Sequence, residues 1–496
     1  MVVVAVIALL ASYNVGERPY PGFDLVGKNA SETSNWPAKK RWMTSARNLV
    51  YADISQSQRP FQVIGSSGPL IILPPHFIEE VRKDERMTFS SWIKKDFFTT
   101  YPGFEGFRPA ADNTIFVNSV RTGLTQSLGH VVGTLADETK LSLKELLPLS
   151  NEWQETRFDE AALRIVARLS SRTFLPEPLC HNEEWLRISV NYTVDFFKGA
   201  YVLRTFPPIV RFFIHWFLPQ TQKLRKEVET ARSIIQPELI ARRKEQEADS
   251  KAGRKSKRYM DAIEWIQQSA TTSGEPCDPV VVMLSYTIAA VHTTTITFAN
   301  MVYNLMSNPE YIDLLREELI AVFNEEPGWT KARLYKLKLM DSCMKESNRL
   351  DPASLMTVNR VADEIITLSD GTVIPKGAKL TVPNMRLTDA SIYEDPYKFN
   401  GRRFYDMRKM PDNESKHQFV TTSENYLPFG HGKHACPGRF FASNEIKVVL
   451  AHLLLQYDFK FPDDQGRPKT VEIGLDRGNP KARVLFRART PEVSLD

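Results

Sequence analysis

The segment Phe429-Gly430-His431-Gly432-Lys433-His434-Ala435-Cys436-Pro437-Gly438-Arg439 concentrates the residue types of this chain that could do chemistry. Cys436 can serve as a thiolate, the form of cysteine that binds metals and attacks electrophiles. Pro428, Gly430 and Gly432 let the backbone turn tightly and lie close to a flat cofactor, where a Cβ would obstruct it. Beyond Gly438, the residues Ala442, Ile446, Val449, Leu450, Leu453, Leu454 and Tyr457 recur at helical intervals, which predicts a helix starting just after the cysteine. The unpaired N–H groups and positive dipole end of such a helix favour a sulfur anion, so a lowered thiol pKa is expected at Cys436. His434 and Arg439 add donors for anionic groups. Two other readings use the same residues: His431, His434 and Cys436 as a zinc cluster, for which no fourth ligand stands at finger-like spacing, and Cys436 as a buried structural thiol.

Taken in order, these residues resemble the haem-thiolate loop of the cytochrome P-450 family, Phe-x-x-Gly-x-Arg/His-x-Cys-x-Gly. The resemblance implies heme b held by Cys436 as the axial thiolate, with Phe429, His434 and Gly438 as further cofactor-binding residues. A thiolate ligand pushes electron density onto the iron and favours O–O cleavage, which points to the activation of O₂.

A helix to handle the oxygen is predicted upstream, over Val280 to Met306, with Asp278-Pro279 as its start signal. So few charges mean burial on all sides, and its polar centre, Ala289-Ala290-Val291-His292-Thr293-Thr294, is the anomaly. The family pattern is Ala/Gly-Gly-x-Asp/Glu-Thr-Thr, in which the small residue opens a groove for O₂ and the acid–alcohol pair relays protons. Here Ala290 replaces the glycine, His292 stands where the carboxylate is expected, and Thr293 keeps the alcohol. An imidazole relays protons near neutral pH, so His292 and Thr293 are the catalytic candidates. The alternative for His292 is a core histidine hydrogen-bonded to backbone. This variant resembles fungal secondary-metabolism members of the ent-kaurene oxidase-like and indole-diterpene oxidase type, which implies a lipophilic substrate such as a terpenoid.

The supporting framework is legible in the same way. Leu334 to Arg349 reads as one helix, on which Glu346 and Arg349 stand at i, i+3, close enough to pair. By resemblance they match the family's Glu-x-x-Arg motif, and Arg403, in Phe399-Asn400-Gly401-Arg402-Arg403-Phe404, completes a structural Glu-Arg-Arg cluster. Arg360 is expected to point at a haem propionate, a role that suits a guanidinium. The family's Trp-x-x-x-Arg is not legible, and Arg121 is the candidate for a second propionate contact. From Ile365 to Lys379 the pattern reads strand, turn at Asp370-Gly371, strand, turn at Pro375-Lys376-Gly377.

The 496-residue chain shows no Gly/Ser linker, repeat or low-complexity stretch, and helical patterns dominate. The expected fold is mainly α with small β-sheets, a single-domain cytochrome P-450 fold over residues 16–496, preceded by a short apolar anchor over residues 1–15. An apolar run of that length covers about half of a bilayer's hydrocarbon core. Four cysteines are too few for a disulfide scaffold, and a net charge of +5 does not argue for nucleic acid. The aromatic run Phe206 to Pro219 reads either as a membrane-dipping segment or as core packing, and the charge run Arg242 to Arg258 as a solvated helix end. Substrate contacts are expected from Phe104 to Asn118, Ile288 to His292, Leu355 to Val358 and Leu475 to Lys481. The resemblance implies an endoplasmic-reticulum membrane enzyme facing the cytosol. It would draw electrons from NADPH through a reductase docked on basic residues such as Arg402, Arg408, Lys409, Lys433 and Lys447. A haem-thiolate isomerase or peroxide-using enzyme, a non-catalytic haem sensor and a zinc hydrolase are the alternatives.

Overall fold

A computed structural model of the protein describes residues 17–325, 328–478 and 481–495. The apolar segment 1–15, expected to act as an anchor, lies outside those residues. Helices dominate: α1 (Trp36–Ser57), α2 (Phe89–Asp96), α3 (Leu128–Leu146), α4 (Phe158–Phe174), α5 (Glu183–Arg204), α6 (Pro208–Ile214), α7 (Pro219–Lys251), α8 (Ala262–Ser273), α9 (Pro279–Ser307), α10 (Glu310–Glu325), α11 (Lys338–Leu350), α12 (Arg403–Lys409) and α13 (Arg439–Gln456). The strands are short: β1 (Leu25–Val26), β2 (Phe61–Gly65), β3 (Gly68–Ile72), β4 (Met87–Thr88), β5 (Gln154–Arg157), β6 (Val358–Ala362), β7 (Ile366–Thr367), β8 (Val373–Ile374), β9 (Lys379–Val382), β10 (Tyr457–Lys460), β11 (Val471–Ile473), β12 (Asp476–Gly478) and β13 (Arg483–Ala488). They pair as one mixed sheet in the order β1-β2-β3-β9-β6-β4, a three-stranded sheet β10-β13-β5, and the hairpins β11-β12 and β7-β8.

At the centre runs α9, bounded as its start signal predicts. Pro279 opens it, and the Asp278 side chain accepts the Val280 N–H at 3.1 Å. Among the described residues it is the one helix long and apolar enough to cross a bilayer, yet it is mostly buried, packed against α4, α5, α11 and α13. An apolar helix surrounded by protein needs no lipid to explain its composition. The helix expected around Leu334 is two helices, because Leu337 leaves helical geometry and α11 restarts at Lys338. Glu318 of α10 caps that restart by accepting the Leu339 and Met340 N–H groups at 2.6 and 2.9 Å.

Two stretches left open by the sequence are settled by burial. No residue of α6 is buried, and Ile209, Phe212, Phe213, Trp216 and Phe217 are exposed, so the aromatic run is not core. The charge run is not uniformly solvated. Arg242 is 1 % exposed and forks onto Asp261 at 2.9 and 2.5 Å, tying α7 to the N-terminus of α8.

Two buried carboxylates hold helices together in opposite ways. Glu346 on α11 accepts from Arg349 Nε and Nη2, both at 2.8 Å, from Arg403 Nε at 3.1 Å and from the Asn400 N–H at 3.1 Å. Its charge is therefore matched by two guanidinium groups and its lone pairs are filled. Glu445 on α13 has no such company: Ser170 Oγ on α4 donates to one oxygen at 2.9 Å, the other has no partner, and burial pushes its pKa up to about 8.

Glu346→Ala strands Arg349 in the interior without its counter-charge and is expected to cost about 3–5 kcal/mol, read as a lower denaturation midpoint. Glu445 keeps its proton in the folded state while the unfolded chain has lost it, so between about pH 5 and pH 8 stability falls as pH rises. In Glu445→Gln that slope flattens. Thermal melts across the range check it, and an unchanged slope refutes the assignment.

Candidate active site

The loop from Leu427 to Gly438 is bent by two left-handed glycines, Gly430 at φ +67° and Gly432 at φ +69°. A Cβ on Gly432 would collide with the Arg82 side chain, so the position excludes larger residues by space as well as by conformation. Backbone hydrogen bonds close the turn: Gly430 N–H to Leu427 O at 2.8 Å, Ala435 N–H to Gly432 O at 3.1 Å, and Cys436 N–H to Phe429 O at 2.8 Å. Phe429 stands edge-on against Phe419, with ring centroids 5.1 Å apart, and anchors the loop to the core. Cys436 follows, two residues before the Gly438 cap of α13.

The thiol pKa is raised, the reverse of the expectation from helix position alone. Burial is the largest cause; the Gly438 and Arg439 N–H groups and the Arg439 charge pull the other way, as a helix N-terminus should, and do not overcome it. Arg439 is fixed by donating to Cys436 O at 2.7 Å and Val420 O at 3.1 Å. Cys436 is only half-buried despite this crowding, the mark of a recess rather than an outer face.

Around the recess, basic groups gather from three segments. His434 lies close enough to Arg360, Lys433 and Arg121 that burial, with these three positive charges, lowers its pKa to about 4, leaving the ring neutral at ordinary pH. Arg360 sits on β6, opposite Leu380 of β9, and is 3 % exposed. Its Nη1 donates to Asn359 O at 2.7 Å, its Nε has no partner, and burial lowers its pKa to about 10. Arg121, in the helical segment Ser119–Leu124, donates through Nη2 to Lys433 O at 2.8 Å. Buried guanidinium charge with an orphaned N–H and no carboxylate beside it is a receptor for an anion. This donor set fits the propionates of a haem ligated by Cys436, with Phe429 and Gly438 shaping the backbone around it. The zinc alternative finds no support: no group of three or more His, Cys, Asp or Glu residues able to hold a metal occurs among the described residues. His431 is engaged by Thr422 Oγ1 at 3.2 Å and Glu79 at 3.4 Å.

On α9 the polar centre falls where the helix loses its burial. Ala289 and Thr293, one turn apart, are exposed on an otherwise buried helix, so they line an internal space. Thr293 Oγ1 donates to Ala289 O at 2.7 Å, which leaves its lone pairs free to accept. His292 points elsewhere. Its Nε2 lies 2.7 Å from Val190 O on α5, and because a carbonyl only accepts, the proton is on Nε2; Nδ1 is the nitrogen left to accept. Burial lowers its pKa. A relay through His292 would therefore run by way of Nδ1.

The family resemblance assigned Cys436, His434, Arg360 and Arg121 to one cofactor site, and the structure gathers His434, Arg360 and Arg121; what it adds is Lys433, expected only on a docking face. Sequence reasoning missed Asp476, whose carboxylate accepts from Ser354 Oγ at 2.6 Å and whose pKa burial raises, although each residue lies in or beside a segment expected to touch substrate. Of the basic residues proposed for a docking face, Arg408 and Lys447 are buried and bound to Asp341, at 3.3 and 2.7 Å, so they are interior braces. Arg402, Lys409 and Lys433 remain at the surface.

Residues 64–486 match the family model described as Cytochrome P-450. Three curated relatives of the chain are from fungi. The chain is 40% identical over 454 residues to cytochrome P-450 monooxygenase hepE of Aspergillus oryzae, covering 91% of this chain and 83% of that protein. It is 40% identical over 439 residues to cytochrome P-450 monooxygenase 1 of Gibberella fujikuroi, covering 88% and 99%. It is 38% identical over 498 residues to cytochrome P-450 monooxygenase esdpI of Penicillium shearii, covering 99% and 96%.

Arg360→Ala removes the most deeply buried member of the anion receptor. It is expected to lower the haem retained per chain after gel filtration by several-fold, whereas Lys409→Ala leaves it unchanged; equal retention in both removes Arg360 from the site.

Proposed function

The chain belongs to the cytochrome P-450 family and is a haem-thiolate monooxygenase, and from that premise we propose that it oxidises a lipophilic small molecule, of terpenoid type, with electrons from NADPH delivered by a membrane-bound reductase. The observation that carries the catalytic part is the placement of Cys436: its backbone N–H is tied to Phe429 O just before α13, its thiol is desolvated, and His434 of the same loop lies by the buried Arg360 guanidinium with its orphaned Nε. When bound, the haem supplies oxygen activation and the insertion of one oxygen atom into a C–H bond.

The chain's own residues orient, shield and move protons. Cys436 would provide the ligand, positioned by the hydrogen-bonded loop around it. Arg360, Arg121 and His434 would hold the propionate edge, Arg360 through the orphaned Nε. Ala289 and Ala290 keep the oxygen side of α9 narrow in section, and Thr293 accepts a hydrogen bond from a water, which can carry protons inward, because its own proton is committed to Ala289 O. Ser354 and Asp476 put a polar pair at the edge of the segments expected to meet substrate.

The surroundings support a membrane site. The exposed face of α6, with Ile209, Phe212, Phe213, Trp216 and Phe217, has the composition of a segment lying in a lipid interface, and the endoplasmic reticulum follows for an enzyme served by an NADPH-linked reductase. Arg402, Lys409 and Lys433 supply the exposed positive charge for an acidic reductase.

In the reduced, carbon-monoxide-treated protein the Soret band is expected at the long wavelength of thiolate ligation, and Cys436→Ser is expected to lose that band. An unshifted wild-type band would falsify thiolate ligation. Thr293→Ala is expected to keep the band and NADPH consumption while product per NADPH drops by about tenfold or more. Turnover without NADPH or reductase would favour a peroxide-using enzyme or an isomerase instead.

A further inference from the structure

Close to α6, and outside the site described above, lies a small recess lined by Glu17, Ser66, Ser67, Lys95, Asp96, Phe98, Arg204, Pro208 and Arg211. Its charges do not balance. Lys95, Arg204 and the adjoining Lys379 surround one carboxylate, Asp96; Glu17 is already matched by Lys39 at 2.6 Å. Asp96 is shared between Lys379 Nζ at 3.2 Å and Arg204 Nη2 at 3.3 Å. Lys379 also donates to Ser67 Oγ at 2.6 Å, and Lys95 donates to Gly377 O, both neutral acceptors. Carbonyl and hydroxyl oxygens satisfy N–H groups without cancelling charge. Arg204 Nε is buried with no acceptor at all. Burial lowers the pKa of both Lys95 and Lys379 against the pull of Asp96, as undercompensated cations require.

The same short helix that walls this recess with Pro208 and Arg211 turns Ile209, Phe212 and Phe213 outward, and Trp216 and Phe217 extend the apolar surface. Arg225 of α7 adds a further cation, over the Trp216 ring at 5.0 Å. An anion-deficient recess beside an exposed aromatic surface has the chemistry to receive a lipid phosphate, which lies next to the interfacial layer that aromatic rings favour.

We propose that the recess between Ser66–Ser67, α2, the end of α5 and α6 is a binding site for the phosphate of an anionic phospholipid headgroup. The site rests on the membrane reading of α6 and gives it a chemical preference. With the ring face of α6 in the acyl boundary, one headgroup phosphate meets Lys95 and Arg204 and supplies the missing negative charge. The enzyme is thereby held with the end of α5 against the bilayer, and its affinity depends on lipid charge at this point and not only on its overall basicity.

Sedimentation of the full-length holoprotein with phosphatidylcholine vesicles, with and without about a fifth phosphatidic acid, tests this. Binding to both is expected, tighter with the anionic lipid. Lys95→Gln and Arg204→Gln should each lose about fivefold of that preference, and an unchanged carbon monoxide spectrum shows the fold intact. Arg243→Gln removes an equal charge from a distant, exposed face and should keep most of the preference, which separates a site from bulk attraction. Phe212→Ser with Phe213→Ser should weaken binding to both vesicles. If Lys95→Gln and Arg204→Gln bind anionic vesicles no worse than Arg243→Gln does, the headgroup site is overturned while the membrane reading stands. Failure of the unmodified protein to bind either vesicle overturns both. Inorganic phosphate distinguishes the sources: competition only far above the concentration of lipid phosphate supports a headgroup site, and equal potency overturns the lipid assignment in favour of a free-phosphate site.

Discussion

The carboxylate of Glu346 is the interaction on which the arrangement of this enzyme depends. It is fully buried, and it joins α11 to the irregular stretch before α12 through Arg349, Arg403 and the Asn400 N–H. Arg349 in turn donates to Leu387 O and Pro396 O, at 2.5 and 2.7 Å, so one ion cluster gathers the short 3-10 turn Met385–Thr388 and the irregular stretch before α12. Coil of that kind has no ladder of its own to hold it, and buried charge with filled lone pairs is directional where apolar packing is not. The segment leads into the cysteine loop, and the loop inherits its position.

A second brace lies beside the first. Asp341, also on α11, takes Arg408, Lys447 and the Phe419 N–H, and Phe419 is the ring against which Phe429 packs. Lys345, one turn on, donates to Gln418 O and Thr421 O and lies 3.7 Å over the Tyr426 ring. One face of α11 thus carries a row of polar side chains that each grip the backbone leading to Cys436. The cost of burying these charges is met locally, by pairing, so the thiol can sit in a desolvated recess without its scaffold relaxing.

The same logic runs in reverse at the cofactor edge and at the α6 surface. There carboxylates are fewer than cations: Arg360 has an orphaned Nε and no ion-pair partner, and Arg204 shares Asp96 with Lys379 while its Nε finds no acceptor. Glu445 shows the opposite sign, a carboxyl that avoids the need for a partner by staying protonated.

Short-range pattern alone determined the boundaries of α9 and α13, the turn glycines at Gly430 and Gly432, the pairing of Glu346 with Arg349, and the choice of Cys436 as the candidate ligand. Each rests on residues within a few positions of one another, where helical period, capping and left-handed φ are decided locally. Tertiary structure decided the rest: that Arg403 reaches Glu346 across 57 positions, that Arg121 meets Lys433 and His434, that Arg408 and Lys447 point inward, and that the imidazole of His292 is committed to Val190 O. It also reversed the expected direction of the thiol's pKa, because a helix N-terminus is visible in a string of residues and desolvation is not; burial is a property of everything packed around a group, most of it distant in the chain.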